Sequence, residues 1–270
     1  MHIKVHHRTT YTYETPAAGV IQALRLTPTD HDGQHIAEWR VDVDVDGSYR
    51  ESRDAFGNHV TMFYADRPAA TVTVTVFGLA MVSDTNGAIR AAEPLPPGIF
   101  LRTTPLTAPA APILALADRY RDAAPLDALH RLCGRLYREM RFDPAATDAT
   151  TSGAEALAAG HGVCQDFAHI FIAAARCLGI PARYVSGHLA RAEHLQQDAA
   201  HAWAEALVPD LGWIAFDPAN GVCATDAYVR VAVGLDYLDA APVRGARRGG
   251  GMEQMTVEVQ AGAAQRQTQS

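Results

Sequence analysis

The spacing of apolar residues changes from two to about 3.6 near residue 95, and this change divides the chain into two kinds of structure. From residue 2 to about residue 82 apolar and polar residues alternate, as in EWRVDVDVDG and TVTVTVFGLAMV. Alternation places one side of each strand in a core and the other in water. Turn signals near Gly47 and Gly57 separate the runs. The pattern predicts an antiparallel β unit of several strands, arranged as a sandwich-like layer.

The second kind of structure begins after a proline-containing segment at residues 92–112, which reads as a linker. The stretches APILALADRYRD and PLDALHRLCGRLYREMRF then repeat apolar residues at helical spacing. A third helix is predicted from about Val163 or Cys164 to Leu178, because Gly179 and Pro181 would stop it. Three strands are predicted after it, in PARYVSGHL, AHAWAEALV and GWIAFDP.

These periods predict three parts: a β-rich domain at residues 1–95, a mixed core at 96–240, and a C-terminal strand with a polar tail at 241–270. Residues 225–238 are compatible with either a helix or an extended chain. In the third part we expect RGARRGGG to be a flexible basic stretch and EQMTVEV to be a strand. The end, AGAAQRQTQS, has the composition of a disordered segment.

Composition and charge limit the partners of the chain. Lys and Arg total 23 against 30 Asp and Glu, a formal charge of -7, so no global basic field would attract nucleic acid or an anionic membrane. The N-terminal MHIKVHHRTTYTYE contains no apolar core of signal-peptide length, and no run approaches the roughly 18 uncharged residues of a membrane helix. We therefore expect a cytoplasmic protein that binds neither nucleic acid nor membrane.

The cysteines differ in their predicted surroundings, and Cys164 stands out at a helix start. The first turn of a helix favours a thiolate through its free NH groups and its positive dipole end. Packing explains Cys133, on an apolar helix face, and Cys177, near a helix C-terminus. No CxxC pair indicates a disulfide framework or a structural zinc site. Cys164 is the candidate nucleophile if a base and an orienting group lie nearby.

The candidates for base and carboxylate, His201 and Asp217, lie on two consecutive predicted strands. A two-residue turn between these strands would point the two side chains to opposite faces of the sheet. A three-residue loop at 209–211 pairs Val208 with Gly212 and leaves Asp217 diagonal to His201 on the same face, within reach of long side chains. The catalytic hypothesis therefore requires the three-residue loop.

The motifs GVCQDFAH, LGIPARYVSG, HAWAE and GWIAFDP, in this order and at this spacing, resemble the transglutaminase-like superfamily, whose core is similar to that of papain-like thiol enzymes. More narrowly, the chain resembles bacterial transglutaminase-like proteins described as cysteine proteases, in which a β-rich region precedes the core. The resemblance implies an α+β fold with an N-terminal antiparallel β unit and a transglutaminase-like, papain-like core. It also implies that Cys164 is the nucleophile, His201 the base and acid, and Asp217 the orienting carboxylate.

The expected activity is thiol-dependent hydrolysis of peptide or isopeptide amides through a thioester acyl-enzyme, with a peptide or protein as substrate and no cofactor. Transamidation of a protein glutamine, or a non-catalytic binding module on the same fold, is the alternative. Gln165, Asp166, Trp203 and Tyr184 are predicted to bind substrate or to border the site. Dipole compensation alone would also explain Asp166, and core packing would also explain Trp203.

A zinc site is the competing chemistry, since five histidines lie near Cys164 in the sequence: His161, His169, His188, His194 and His201. His169 is five residues along the helix from Cys164 and so projects from a different face. The HxH and HExxH spacings do not occur. We therefore expect no metal site.

Overall fold

The fold is described from a computed structural model, for residues 1–191, 196–197 and 200–263. The strands, in chain order, are β1 (His2–Leu24), β2 (Gln34–Val43), β3 (Gly47–Arg53), β4 (His59–Ala65), β5 (Ala69–Val82), β6 (Ala88–Ile89), β7 (Arg141–Phe142), β8 (His161–Gly162), β9 (Ala182–Leu189), β10 (Gln196–Gln197), β11 (His201–Val208), β12 (Gly212–Asp217), β13 (Val222–Cys223), β14 (Tyr228–Gly234), β15 (Val243–Gly249) and β16 (Glu253–Ala263). The helices are α1 (Ala111–Asp118), α2 (Pro125–Glu139), α3 (Gly153–Ala159), α4 (Cys164–Cys177) and α5 (Tyr237–Ala240), with 3-10 turns at Pro97–Leu101 and Pro105–Thr107.

The first sheet has eight strands and is built around β1, which is 23 residues long. β1 pairs antiparallel with β4, β5, β15 and β16, while β2 pairs with β5 and β3 with β4. Along the first half of β1 alternate residues are buried, including Ile3 and Val5, as period two requires. The predicted antiparallel β unit is present, and the C-terminal strands β15 and β16 complete it.

The second sheet has six strands, in the order β13-β12-β11-β9-β14 with β6 on β12. Helix α4 packs on one face of this sheet. Alanines make the contact on both sides, and they include Ala202, Ala204 and Ala206 of β11 and the consecutive alanines 173–175 of α4. Small side chains let a helix approach a sheet closely, so α4 packs tightly against β11. The predicted α+β arrangement, with a helix packed on an antiparallel sheet and a separate N-terminal β unit, is present.

Helix α4 begins and ends close to the predicted positions. Val163 is extended at the N-terminus, and its NH donates to the carboxylate of Asp166 at 2.8 Å. At the other end Gly179 has φ +75, a left-handed conformation that stops a helix and that glycine adopts without strain. These two end structures place Cys164 in the first turn.

Two amide side chains join the sheets, beside a buried ionic cluster that lies within the second sheet. Glu205 accepts from Arg183 at 2.6 Å and from Arg230 at 2.8 Å. Gln34 of the first sheet exchanges two hydrogen bonds with the backbone of Arg230, and Asn58 does the same with Val233. Both partners lie on β14, the edge strand of the second sheet, so these amides occupy backbone groups that a neighbouring strand would otherwise pair.

Some local predictions differ from the structure. The segment RGARRGGG was expected to be flexible, but Val243–Gly249 forms β15 against β1, because backbone pairing compensates for its weak strand propensity. Residues 225–238 contain β14 and the start of α5. Of the tail AGAAQRQTQS, residues 261–263 continue β16, and the rest of that prediction lies outside the described residues. Within the described ranges, the helices are too short or too polar to cross a membrane.

Candidate active site

The hairpin formed by β11 and β12 has the three-residue loop that the catalytic hypothesis requires. Val208 pairs with Gly212 and Ala204 with Phe216, which leaves residues 209–211 as the loop. This register brings His201 and Asp217 together, with His201 Nε2 at 2.6 Å from Asp217 Oδ2. The two side chains are buried, so water competes little with this contact.

The Asp217 carboxylate is hydrogen-bonded at both oxygens. Oδ2 accepts from His201, from Asn220 Nδ2 at 2.6 Å and from the Tyr228 hydroxyl at 2.8 Å. Oδ1 accepts from the backbone NH groups of Ala219 at 3.0 Å and Asn220 at 3.1 Å. Burial opposes ionisation, but the His201 charge and these donors outweigh it and lower the pKa of Asp217. The group is therefore a fixed negative charge directed at the imidazole.

The His201 imidazole lies between this carboxylate and the Cys164 thiol. Burial opposes its protonation, but the charge and hydrogen bond of Asp217, followed by the interaction with Cys164, raise the pKa of His201 to about 10. Because Nε2 faces the carboxylate, Nδ1 is the nitrogen left for the thiol. The rings of Tyr228 and Trp203, with centroids 6.0 and 6.1 Å away, flank the imidazole. Its position and its tautomer are thus set by neighbouring groups.

Cys164 lies half-buried in the first turn of α4 and faces an open cavity. The first NH groups of a helix have no acceptor within the helix, and they form the positive end of its dipole. The other cysteines differ from it in environment. Burial, with a smaller contribution from the Asp217 charge, raises the pKa of Cys133, and burial also raises the pKa of Cys177 and of Cys223. Those three thiols therefore stay protonated over a wider pH range than free cysteine does.

The cavity beside Cys164 has a volume of about 630 Å³. Gln165 and Tyr184, two of the predicted substrate-binding residues, line it together with Cys164 and His201. Asp166 is buried elsewhere, where its carboxylate caps α4 and accepts from Thr147 Oγ1 at 2.6 Å.

Trp203, the fourth predicted substrate-binding residue, is 1% exposed and packs edge-to-face on Tyr228, with ring centroids 5.3 Å apart. Its indole lies against the backbone of Gly187, where an added Cβ would come within 2.6 Å of the ring. The structure thus places Trp203 behind His201 rather than in the cavity wall, where it supports the imidazole.

Asn220 and Tyr228 were not predicted from the sequence, although both bond the Asp217 carboxylate. Asn220 follows Asp217 in the tight turn DPAN, whose polar composition was a usable signal. Tyr228 reaches the site because β14 pairs with β9, and that long-range pairing has no local signature.

The histidines near Cys164 in sequence do not converge on a metal position in the part of the chain that the structure describes, where no group of three or more His, Cys, Asp or Glu residues is arranged to hold a metal ion. His169 is buried and its Nε2 accepts from the Tyr237 NH at 3.1 Å. His188 packs edge-on against His7, with ring centroids 5.5 Å apart. His194 lies outside the described residues.

Comparison with known proteins gives two family matches along the chain. The family described as the transglutaminase-like superfamily matches residues 114–218, and the bacterial transglutaminase-like N-terminal region matches residues 3–80. An uncharacterized protein of Mycobacterium leprae is 31% identical over 96% of this chain and 97% of its own length. An uncharacterized protein of Mycobacterium tuberculosis is 31% identical over 90% of this chain and 86% of its own.

A solved structure from Cytophaga hutchinsonii, named "a Putative Cysteine Protease", superposes with a TM-score of 0.79 at 22% identity. The superposition covers 100% of this chain and 92% of that one. The two chains therefore share the fold of both sheets.

Proposed function

The chain belongs to the transglutaminase-like superfamily, and from that premise we propose that it hydrolyses peptide or isopeptide amides through a thioester on Cys164. The observation that carries the proposal is the buried pair His201–Asp217, at 2.6 Å, whose imidazole also interacts with the Cys164 thiol at a helix start. The resemblance to a protein named as a cysteine protease supports the same activity.

The first half of the proposed reaction acylates the thiol. His201 Nδ1 holds the proton of Cys164, so that the sulfur is a thiolate, and this thiolate attacks the amide carbonyl carbon. The Cys164 NH, in the first turn of α4, donates to the oxygen that becomes negative. The intermediate collapses when the His201 imidazolium gives its proton to the leaving amine, which breaks the C–N bond and leaves a thioester. Throughout, Asp217 holds the imidazole in one orientation and balances its charge.

The second half releases the acyl group. His201 takes a proton from a water molecule, the hydroxide attacks the thioester carbonyl, and the carboxylic acid departs as the thiolate is re-formed. A primary amine in place of water would give a new amide, which is the transamidase alternative. Product identity separates the two, since hydrolysis yields a free acid and transamidation yields a product heavier by the amine.

The test is turnover of peptide and isopeptide amides by the wild type and by Cys164→Ala, with acid quenching and mass measurement of the intact protein. We expect an acyl adduct on Cys164 and no turnover above background in Cys164→Ala. Cys177→Ala, a change on the same helix away from the cavity, is the matched control and should retain activity. Unchanged turnover in Cys164→Ala would exclude the thioester mechanism, and no turnover or adduct on any amide would favour a binding module.

A further inference from the structure

The cavity beside Cys164 has walls from both sheets. Gln165 of α4 and Tyr184 of β9 line the side that carries the reacting groups. Another part of the lining comes from the first sheet and is formed by Thr9 and Tyr11 of β1 and by Met255 and Val257 of β16. A molecule bound to Cys164 therefore contacts strands from the two ends of the chain as well as the core.

The charge of this cavity favours some side chains over others. Among the described lining residues there is no Asp or Glu, and Arg191 supplies a guanidinium. Burial and the charge of His6 lower the pKa of His7, which also lines the cavity, to about 4, so this imidazole is neutral near pH 7. A lysine or arginine side chain entering here would lose hydration without gaining a counter-charge from these described residues. The described part of the lining therefore disfavours cationic side chains.

The rim of the cavity carries two large apolar side chains that are open to solvent. Phe142 of β7 is 53% exposed, and Met255 of β16 in the first sheet is 57% exposed. Solvent-exposed apolar side chains grouped at a cavity are typical of binding surfaces. Both stand next to the Cys164 site, so a peptide entering that site would cover both.

We propose that the acyl donor is a peptide segment that binds between the two sheets and presents an uncharged, apolar side chain to the wall formed by Tyr11, Met255 and Val257. This inference rests on the proposed thioester chemistry of Cys164. Met255 is then a specificity-determining residue, although it lies far from the core in sequence. The volume of about 630 Å³ lies in the range of ligand-binding sites in general.

The test uses four acetyl-aminoacyl chloromethyl ketones that carry Leu, Phe, Glu or Lys side chains. Each alkylates a thiol with loss of chloride, and the rate of Cys164 labelling is read by peptide mass mapping. Each labelling rate of Cys164 is divided by its labelling rate with iodoacetamide, which carries no amino-acid side chain. This ratio separates recognition of the probe's side chain from the reactivity of the thiol. We expect the Leu and Phe probes to label at least about 10-fold faster than the Lys probe by this ratio.

A charge placed at the rim tests the wall directly. Met255→Glu should raise the Lys-to-Leu rate ratio about 10-fold. Met252→Glu is the matched control, since Met252 precedes β16, is 73% exposed and lies outside the cavity, and it should leave the ratio unchanged. Equal rate ratios for the four probes, or equal effects of the two variants, would overturn this inference. If iodoacetamide still labelled Cys164 rapidly in that case, the proposed thiol chemistry would be unaffected. Iodoacetamide labelling of Cys164 no faster than of Cys133, Cys177 and Cys223 would overturn the proposed function and this inference together.

Discussion

At the scale of single residues, the donors around Asp217 are the feature of the site that most affects its chemistry. A carboxylate that accepts several hydrogen bonds stays ionised and cannot rotate. Tyr228 and Asn220 touch neither the thiol nor the cavity, so they act on the reaction only through Asp217 and His201. They are positioning residues.

Replacing Tyr228 by Phe removes one donor to Asp217 and keeps the ring that packs on Trp203. Loss of a donor to the ionised form raises the pKa of Asp217, so the acidic limb of the kcat profile should move to higher pH. We expect kcat to fall roughly 3- to 10-fold with little change in KM. Tyr49→Phe, an exposed change in the first sheet, is the control. A fall in kcat without movement of the acidic limb would contradict the positioning role.

The protonation of His201 should also appear in stability. Its folded pKa is about 10 against an ordinary 6.5, so the stability contributed by the imidazolium is present below pH 6.5 and is lost as pH rises towards 10. His201→Gln should therefore be less stable than the wild type near pH 6, by on the order of a few kcal/mol, with a smaller difference at pH 10. Urea unfolding at several pH values measures this. A pH-independent difference would be evidence against the ion pair of His201 with Asp217.

At the scale of secondary structure, the loop at 209–211 decides which residues meet. Leu211 is 53% exposed, and its deletion, with the three-residue loop retained, brings Gly212 into the loop, pairs Val208 with Trp213 and shifts the register of β12 by one residue. Asp217 would then point away from His201, so we expect activity to fall at least about 100-fold. Leu211→Ser keeps the loop length and should retain activity. Full activity in the deletion variant would mean that the loop rearranges without changing the register.

The elements of the site differ in how far the sequence predicts them. Helix α4 follows from its own residues, because Gly179 stops it and the apolar stripe is continuous. Helix α3 was missed, although Ser152 and Glu155 form a capping box whose spacing is visible in the sequence. The loop at 209–211 could be stated only as a choice between two lengths. Strand β15 has poor propensity and forms because β1 offers it a backbone to pair with.

At the scale of the whole molecule, Glu205 of β11 links β9 and β14 within the second sheet through Arg183 and Arg230. Burial opposes ionisation of Glu205, but the two guanidinium groups lower its pKa to about 2. Its contribution to stability is therefore present above pH 4.5 and is lost as pH falls towards 2. The cluster also includes Glu93, 2.5 Å from Arg183. The segment that contains Glu93 and joins the first sheet to the helices is therefore attached to the second sheet at this cluster.

Glu205→Gln should lower the free energy of unfolding by roughly 3–5 kcal/mol at pH 7, because it leaves two buried guanidinium groups without this partner. The difference from the wild type should shrink between pH 4.5 and pH 2. Urea unfolding across this range measures both effects. Glu253→Gln breaks a half-exposed pair with Arg247 and should change stability by less than about 1 kcal/mol. A cost for Glu205→Gln as small as that of Glu253→Gln would show that the cluster does not stabilise the second sheet.

The amide side chains of Gln34 and Asn58 also oppose edge-to-edge association between molecules of this protein. Strand β14 ends the second sheet, and a bare edge of this kind is a template onto which the strand of another molecule can add. The two amide side chains hydrogen-bond to backbone groups of β14, which are then not available to a strand of another molecule. A variant with both replaced by alanine should self-associate as its concentration rises, which sedimentation velocity would detect. The contact that docks the two sheets thus also sets how concentrated the protein can become before it aggregates.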